Sequence, residues 1–140
     1  MADTSAGTVE FELVSPAKLL VSEPVEMVVI PGAEGDIGVL PGHSPLIATV
    51  RPGIIDIHED GKVRDRIFVG GGFAEVSPNR CTVLAEEATP VDEINLATAE
   101  ARLTEAREKA DVADNVGAAE AARQVAIAEE LVAVAKQASE

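Results

Sequence analysis

The chain has 140 residues, 46% of them hydrophobic but only 2% aromatic, and a formal net charge of −14. That length allows one or two small domains, and with no Trp or Tyr the core must be built from Val, Ile, Leu and Ala. The charge argues against nucleic acid and anionic lipid as partners, since both are bound through Lys and Arg, and favours a basic protein surface.

Residues 1–8 are small and polar, with neither a basic n-region nor an apolar h-region, so no signal peptide is expected. No apolar run approaches the ~18 residues of a membrane span, and a soluble, cytoplasmic protein is expected. Val9, Phe11 and Leu13 alternate with Glu10 and Glu12, the period of a half-buried strand. Further strands are predicted over 18–21, 25–30, 46–50, 53–58, 63–69, 73–76 and 80–85. So many short strands imply a β-sandwich or flattened barrel.

Between the third and fourth of these strands lies Pro31-Gly32-Ala33-Glu34-Gly35-Asp36-Ile37-Gly38-Val39-Leu40-Pro41-Gly42-His43-Ser44-Pro45-Leu46. Gly takes backbone angles that other residues resist, and Pro fixes φ and removes a ladder donor. Gly35, Gly38, Pro41, Gly42 and Pro45 therefore read as tight turns that end near a fixed polar point, His43. Around Asp60-Gly61, an odd-length loop such as Asp60-Gly61-Lys62 sets Ile55 opposite Ile67 and Asp56 opposite Arg66, keeping the faces unmixed. That register places Gly61 or Lys62 in the left-handed region and turns Phe68 outward, to be covered by a partner or another part of the fold. Gly70-Gly71-Gly72 leads into a strand rather than a helix, so Gly71 and Gly72 read as a bulge or turn and not a phosphate cradle. Cys81, the only cysteine, alternates with Val83 and reads as a small buried hydrophobe.

Composition shifts near Thr89: after Pro90 there is no Pro, one Gly, and Ala dominates. Two domains are expected, residues 1–88 and 89–140. Thr89-Pro90-Val91-Asp92 matches a helix start, with Thr at N-cap, Pro at N1 and an acid at N3. Ile94, Ala97, Ala101, Leu103, Ala106 and Ala110 give one helix; Ala119, Ala122, Ala126, Leu131 and Ala135, from Val116 on, give a second. The turn-formers of 111–117 join them into an antiparallel hairpin. Ala forms helices well but buries little area, so the helices should persist while their packing changes, as suits an arm that swings. The tail carries five basic and eleven acidic residues, a balance of −6.

No reaction chemistry is expected. Gly35-Asp36-Ile37-Gly38 lacks the strand-to-helix setting of a dinucleotide site. Asp36, His43 and Ser44 lie close in sequence, but no nucleophile elbow or oxyanion hole accompanies them. Two His and one Cys, far apart, make no metal ligand set. Catalytic residues, metal and cofactor are each expected to be absent.

The Pro31–Leu46 run, together with Arg51-Pro52-Gly53 and Val69-Gly70-Gly71-Gly72-Phe73-Ala74-Glu75-Val76, closely resembles the epsilon subunit of bacterial F-type ATP synthases. The resemblance extends from about Val9 to the C-terminus. It implies an N-terminal β-sandwich that binds gamma and the c-ring and a C-terminal regulatory hairpin. It also implies a non-catalytic rotor subunit of the central stalk, coupling ring rotation to ATP synthesis on the cytoplasmic side of the bacterial inner membrane. Membrane contact is then only indirect, through the complex. By position, Glu34-Gly35-Asp36 matches the acidic loop facing the c-ring, and His43 the histidine near gamma and the ring. Gly71-Gly72-Phe73 matches a turn that shapes the sandwich. Nucleotide-binding relatives carry Ile-Asp-x-x-Arg-Ala where this chain has Ile94-Asn95-Leu96-Ala97-Thr98-Ala99, so a charged grip on phosphate is lost at Asn95 and Thr98. In some relatives the extended hairpin meets the alpha/beta head and inhibits hydrolysis. With Arg123 and Lys136 set against Glu120, Glu129, Glu130 and Glu140 on the second helix, weak inhibition is expected here. The rival readings are an ATP sensor whose hairpin closes over nucleotide, and a generic sandwich adaptor.

Overall fold

The computed structural model describes residues 7–138. Most of the segment read for a leader, 1–8, and the terminal acid Glu140 lie outside the described residues. The chain divides into two compact units, Met1–Ala88 and Thr89–Glu140.

The first unit holds β1 (Val9–Val14), β2 (Leu19–Val25), β3 (Met27–Gly32), β4 (Gly35–Val39), β5 (Leu46–Glu59), β6 (Lys62–Ser77) and β7 (Arg80–Ala85). They are hydrogen-bonded in the order β2-β1-β7-β6-β5-β3-β4, and a short β8 (Ala88–Pro90) pairs with β6. Only β1 and β7 run parallel; the other pairs on this path are antiparallel. The long strands β5 and β6 belong to both layers. Their outer segments pair 46–50 with 72–76, and β7 adds to that half of β6; their inner segments pair 53–59 with 62–69, and β3 adds to that half of β5.

The sheet folds over where β5 and β6 pass through 50–53 and 70–72. Gly71 and Gly72 have φ of 106° and 147°, a region that favours Gly. A Cβ on Gly72 would lie 1.9 Å from the Leu84 carbonyl oxygen, and one on Gly53 would lie 2.9 Å from Pro31 Cβ. Gly71 and Gly72, expected as a bulge or turn leading into a strand, therefore form no turn. They lie within β6 and let its backbone bend against β7.

Val9, Phe11 and Leu13 are fully buried, as the alternation predicts, and join Val28, Ile30, Ile55, Ile57, Val69, Cys81 and Val83 in one core. Burial pushes the Cys81 thiol up to about 12, since the thiolate would be stranded in an apolar core. At the hairpin Ile55 faces Ile67 and Asp56 faces Arg66, the expected register. The turn differs from the expected odd loop. Asp60 and Gly61 both have positive φ, Glu59 faces Lys62, and the offset comes from a bulge beside His58 that leaves Arg64 without a ladder partner. The Arg64 guanidinium then bonds Asp65 at 2.7 Å and Glu23 of β2 at 2.8 Å, and both hold it more firmly protonated. Phe68 is fully buried within this chain rather than left for a partner.

One strand was not legible. Residues 35–39 carry two glycines and read as turns, yet they form β4 at the sheet edge, with Val39 buried. Gly38 is thus no turn residue; it pairs with Val29 mid-strand, because a full antiparallel ladder to β3 outweighs its weak strand preference.

In the second unit a 3₁₀ turn, Val91–Glu93, precedes α1 (Leu96–Asp111) and α2 (Ala118–Ala138). Thr89 does not cap the helix. Pro90 is extended (ψ 137°), the turn has no side-chain cap, and α1 starts one element later with Asn95, whose side-chain oxygen accepts from the Thr98 amide at 3.0 Å. The buried stripe also differs from the expected one. Ala106 and Ala135 are buried as expected, but Ala97, Ala101, Ala119, Ala122 and Ala126 are exposed, and Ala99, Ile127, Ala128, Val132 and Val134 are buried as well. Where Ala recurs on every side of a helix, no period stands out.

Candidate functional site

Two surface features of the first unit are candidates for contact. The first is the tip of the β3–β4 hairpin, where Ala33 and Glu34 span the two-residue connection between paired Gly32 and Gly35. Gly35 has φ 143°, which closes the turn. The Ala33 amide donates to the Thr49 carbonyl of β5 at 2.8 Å. Asp36 does not project as a free acid. Arg51 donates to its carboxylate at 2.7 Å and to the Gly32 carbonyl at 2.5 Å. Glu34 is exposed and makes no ion pair with any described residue. A groove of about 670 Å³ runs from this tip to Leu46–Thr49.

His43 is not part of that tip. It follows the far end of β4, with Asp36 and Leu40 on the order of 13 Å apart along the strand rise. Gly42 has φ 85°, its amide donates to Pro78, and His43 donates its amide to Leu40. The His43 Nδ1 lies 2.7 Å from the Ser44 carbonyl, which can only accept, so Nδ1 is the donor and Nε2 is left for other contacts. Asp36, His43 and Ser44 therefore assemble no triad. Pro41 and Gly42 shape this turn and Pro45 leads out of it toward β5.

The second feature escaped sequence reading. On the outer face of the sandwich Thr49, Phe73, Leu84 and Val14 stand in one cross-strand row, with Ile47, Glu75, Thr82 and Glu12 in the next. Phe73 is 58% exposed, Leu84 55% and Ile47 73%. A groove of about 300 Å³ beside them is lined by Val14, Pro16, Gly72, Phe73 and Leu84 among others. Large apolar side chains clustered in the open mark an interaction surface. The signal was available: once Ala74 and Val76 are placed inward, alternation forces Phe73 out.

In the second unit the Ile94–Ala99 stretch serves the helix. Asn95 caps it, Thr98 supplies the capped amide, and Ala99 is buried. Among the described residues no group of three potential ligands for a metal is found.

Residues 8–91 match the family described as ATP synthase, Delta/Epsilon chain, beta-sandwich domain. The chain is 57% identical over 129 residues to the ATP synthase epsilon chain of Paramagnetospirillum magneticum, covering 91% of this chain and 97% of the relative. It belongs to the ATP synthase epsilon family. The epsilon chain of Rhodospirillum rubrum is 53% identical over 132 residues, covering 94% and 98% of the two chains. Among solved structures, a chain of the Euglena gracilis mitochondrial ATP synthase (OSCP/F1/c-ring in rotational state 1) superposes with a TM-score of 0.76 at 29% identity, covering 95% of this chain and 84% of that one. The sandwich followed by two helices is thus the architecture of an epsilon-family chain, and the hairpin tip and outer face lie within the residues that match the family's β-sandwich domain.

Proposed function

We propose that this chain is a non-catalytic central-stalk subunit of a bacterial F-type ATP synthase. The exposed Ile47–Phe73–Leu84 face docks on gamma, and the Glu34–Asp36 hairpin rests on basic polar loops of the c-ring. Membrane attachment on the cytoplasmic face is peripheral, through the complex; no helix among the described residues is long and apolar enough to cross a bilayer. The observation that carries this reading is the apolar outer face on an epsilon-family sandwich. It gathers Ile47, Phe73 and Leu84 in the open on neighbouring paired strands, as an interaction surface would. Phe73→Asp is the direct test. Capture of the chain by purified gamma should fall at least tenfold while its melting temperature holds, because a charge is set into an apolar contact. Retained capture would move gamma to another face.

Regulation by the hairpin is proposed to be weak. Arg123 pairs with Glu120 at 2.7 Å and Arg107 with Glu129 at 3.3 Å, so these cations are engaged within the hairpin. Contact with an acidic segment of the alpha/beta head would have to compete with those acids. ATP hydrolysis by the assembled head should rise by less than about twofold when residues 89–140 are removed; a large rise would show a strong brake. ATP sensing gains no support, because the Asn95 oxygen caps α1.

A further inference from the structure

We infer that Asp36 acts on the β3–β4 tip as a positioning residue, through Arg51, and that Glu34 carries the charge offered to a basic partner. The inference rests on the proposed placement of this tip against the c-ring. In β3, residues 30 and 31 bridge the span that β5 covers with five residues, 51–55, between the paired Gly32–Val50 and Val29–Asp56. β5 therefore bows between these pairs, with Gly53 packed closely on Pro31, and Pro31 has no amide to bond it there. Arg51 stands at the start of the bow. Its two terminal nitrogens reach Asp36 on β4 and the Gly32 carbonyl at the end of β3, tying both arms of the hairpin to β5. Lys, with a single ammonium, cannot span the two acceptors in that fork.

The clamp also settles the charge. The Arg51 guanidinium neutralises the Asp36 carboxylate at contact distance, so their joint field falls off quickly in water. Glu34, one position beyond the Ala33 amide that is bonded to Thr49, faces solvent with no counter-charge from any described residue. A basic loop approaching the tip meets Glu34 as its net charge.

Two measurements separate the parts. In the isolated chain, Arg51→Ala should speed amide exchange at Ala33 roughly threefold and leave Phe11 unchanged, as loss of an exposed charge-assisted contact predicts; unchanged exchange at Ala33 overturns the clamp. The full chain bound to gamma is then offered to purified c-ring at low and high salt. Glu34→Gln should weaken retention roughly threefold at low salt and flatten the salt dependence, while the Asp36→Asn/Arg51→Gln double variant, whose net charge is unchanged, keeps the wild-type dependence. The opposite pattern makes Asp36 the contact and overturns the inference. If exchange at Ala33 reports the clamp but neither variant alters retention, the placement on the ring has failed, and the role of Glu34 with it.

Discussion

The sandwich and the hairpin reach compactness by opposite means. In the sandwich, β-branched and aromatic side chains fill a single core, and the backbone is fitted so closely that Gly72 and Gly53 admit no Cβ. In the hairpin, one cluster joining α1 to α2 has Ala99, Val132 and Ala135 at its centre, with Ile94, Leu96, Leu103 and Leu131 partly buried around it. Interlocked packing of the first kind has one solution and resists change. An interface with few fully buried large side chains loses less when it shifts, while each helix keeps its own hydrogen bonds and propensity. The first kind of packing suits the proposed role of the sandwich as a fixed contact surface, and the second the proposed regulatory role of the hairpin.

Four measurements break or sharpen that contrast, from the largest expected effect to the smallest. Gly72→Ala should cost about 4 kcal/mol or more and leave the sandwich unfolded or grossly destabilised in thermal melts, since neither φ nor the Leu84 carbonyl can yield. A normal melt would mean the bend is softer than its geometry. Next comes alkaline pH. The unfolded chain releases the Cys81 proton in the ordinary thiol range, whereas the folded chain keeps it up to about 12. The folded state therefore binds more protons, and stability falls as pH rises through that window and is unaffected below it. Relative to Cys81→Ala, the wild type should lose roughly 1–2 kcal/mol by about pH 10 in denaturant titrations, and parallel curves would show the thiol to be solvated.

Asn95→Ala should cost about 1 kcal/mol, read as fraying of the first turn of α1 by amide exchange, with the sandwich melt unmoved. A matching drop in the sandwich would show the two units to be energetically joined. Last, Val112 and Val116, at 83% and 93% exposure between the helices, should tolerate Ser within about 0.5 kcal/mol in chemical denaturation.

The sequence alone determined what depends on local chemistry. Alternation in β1 marked Val9, Phe11 and Leu13 as core because a pleated strand has two faces. The Asp60-Gly61 hairpin revealed its register because only one offset keeps Ile55 and Ile67 together. The change in Gly, Pro and Ala content separated a strand region from a helical one, and the Gly/Pro motifs pointed to the family. Tertiary structure decided the rest, wherever a residue's partner is distant in sequence. β4 is a strand only because β3 offers it a ladder, so its glycines misled. Thr89 and Asn95 are both good caps by type, and the extended backbone at Pro90 and Ile94 chose Asn95. The Ala-rich helices have no face until packing selects one. Asp36 read as one of two acids in a contact loop, because nothing in Glu34-Gly35-Asp36 shows that Arg51, fifteen residues on, would fold back to pair with it.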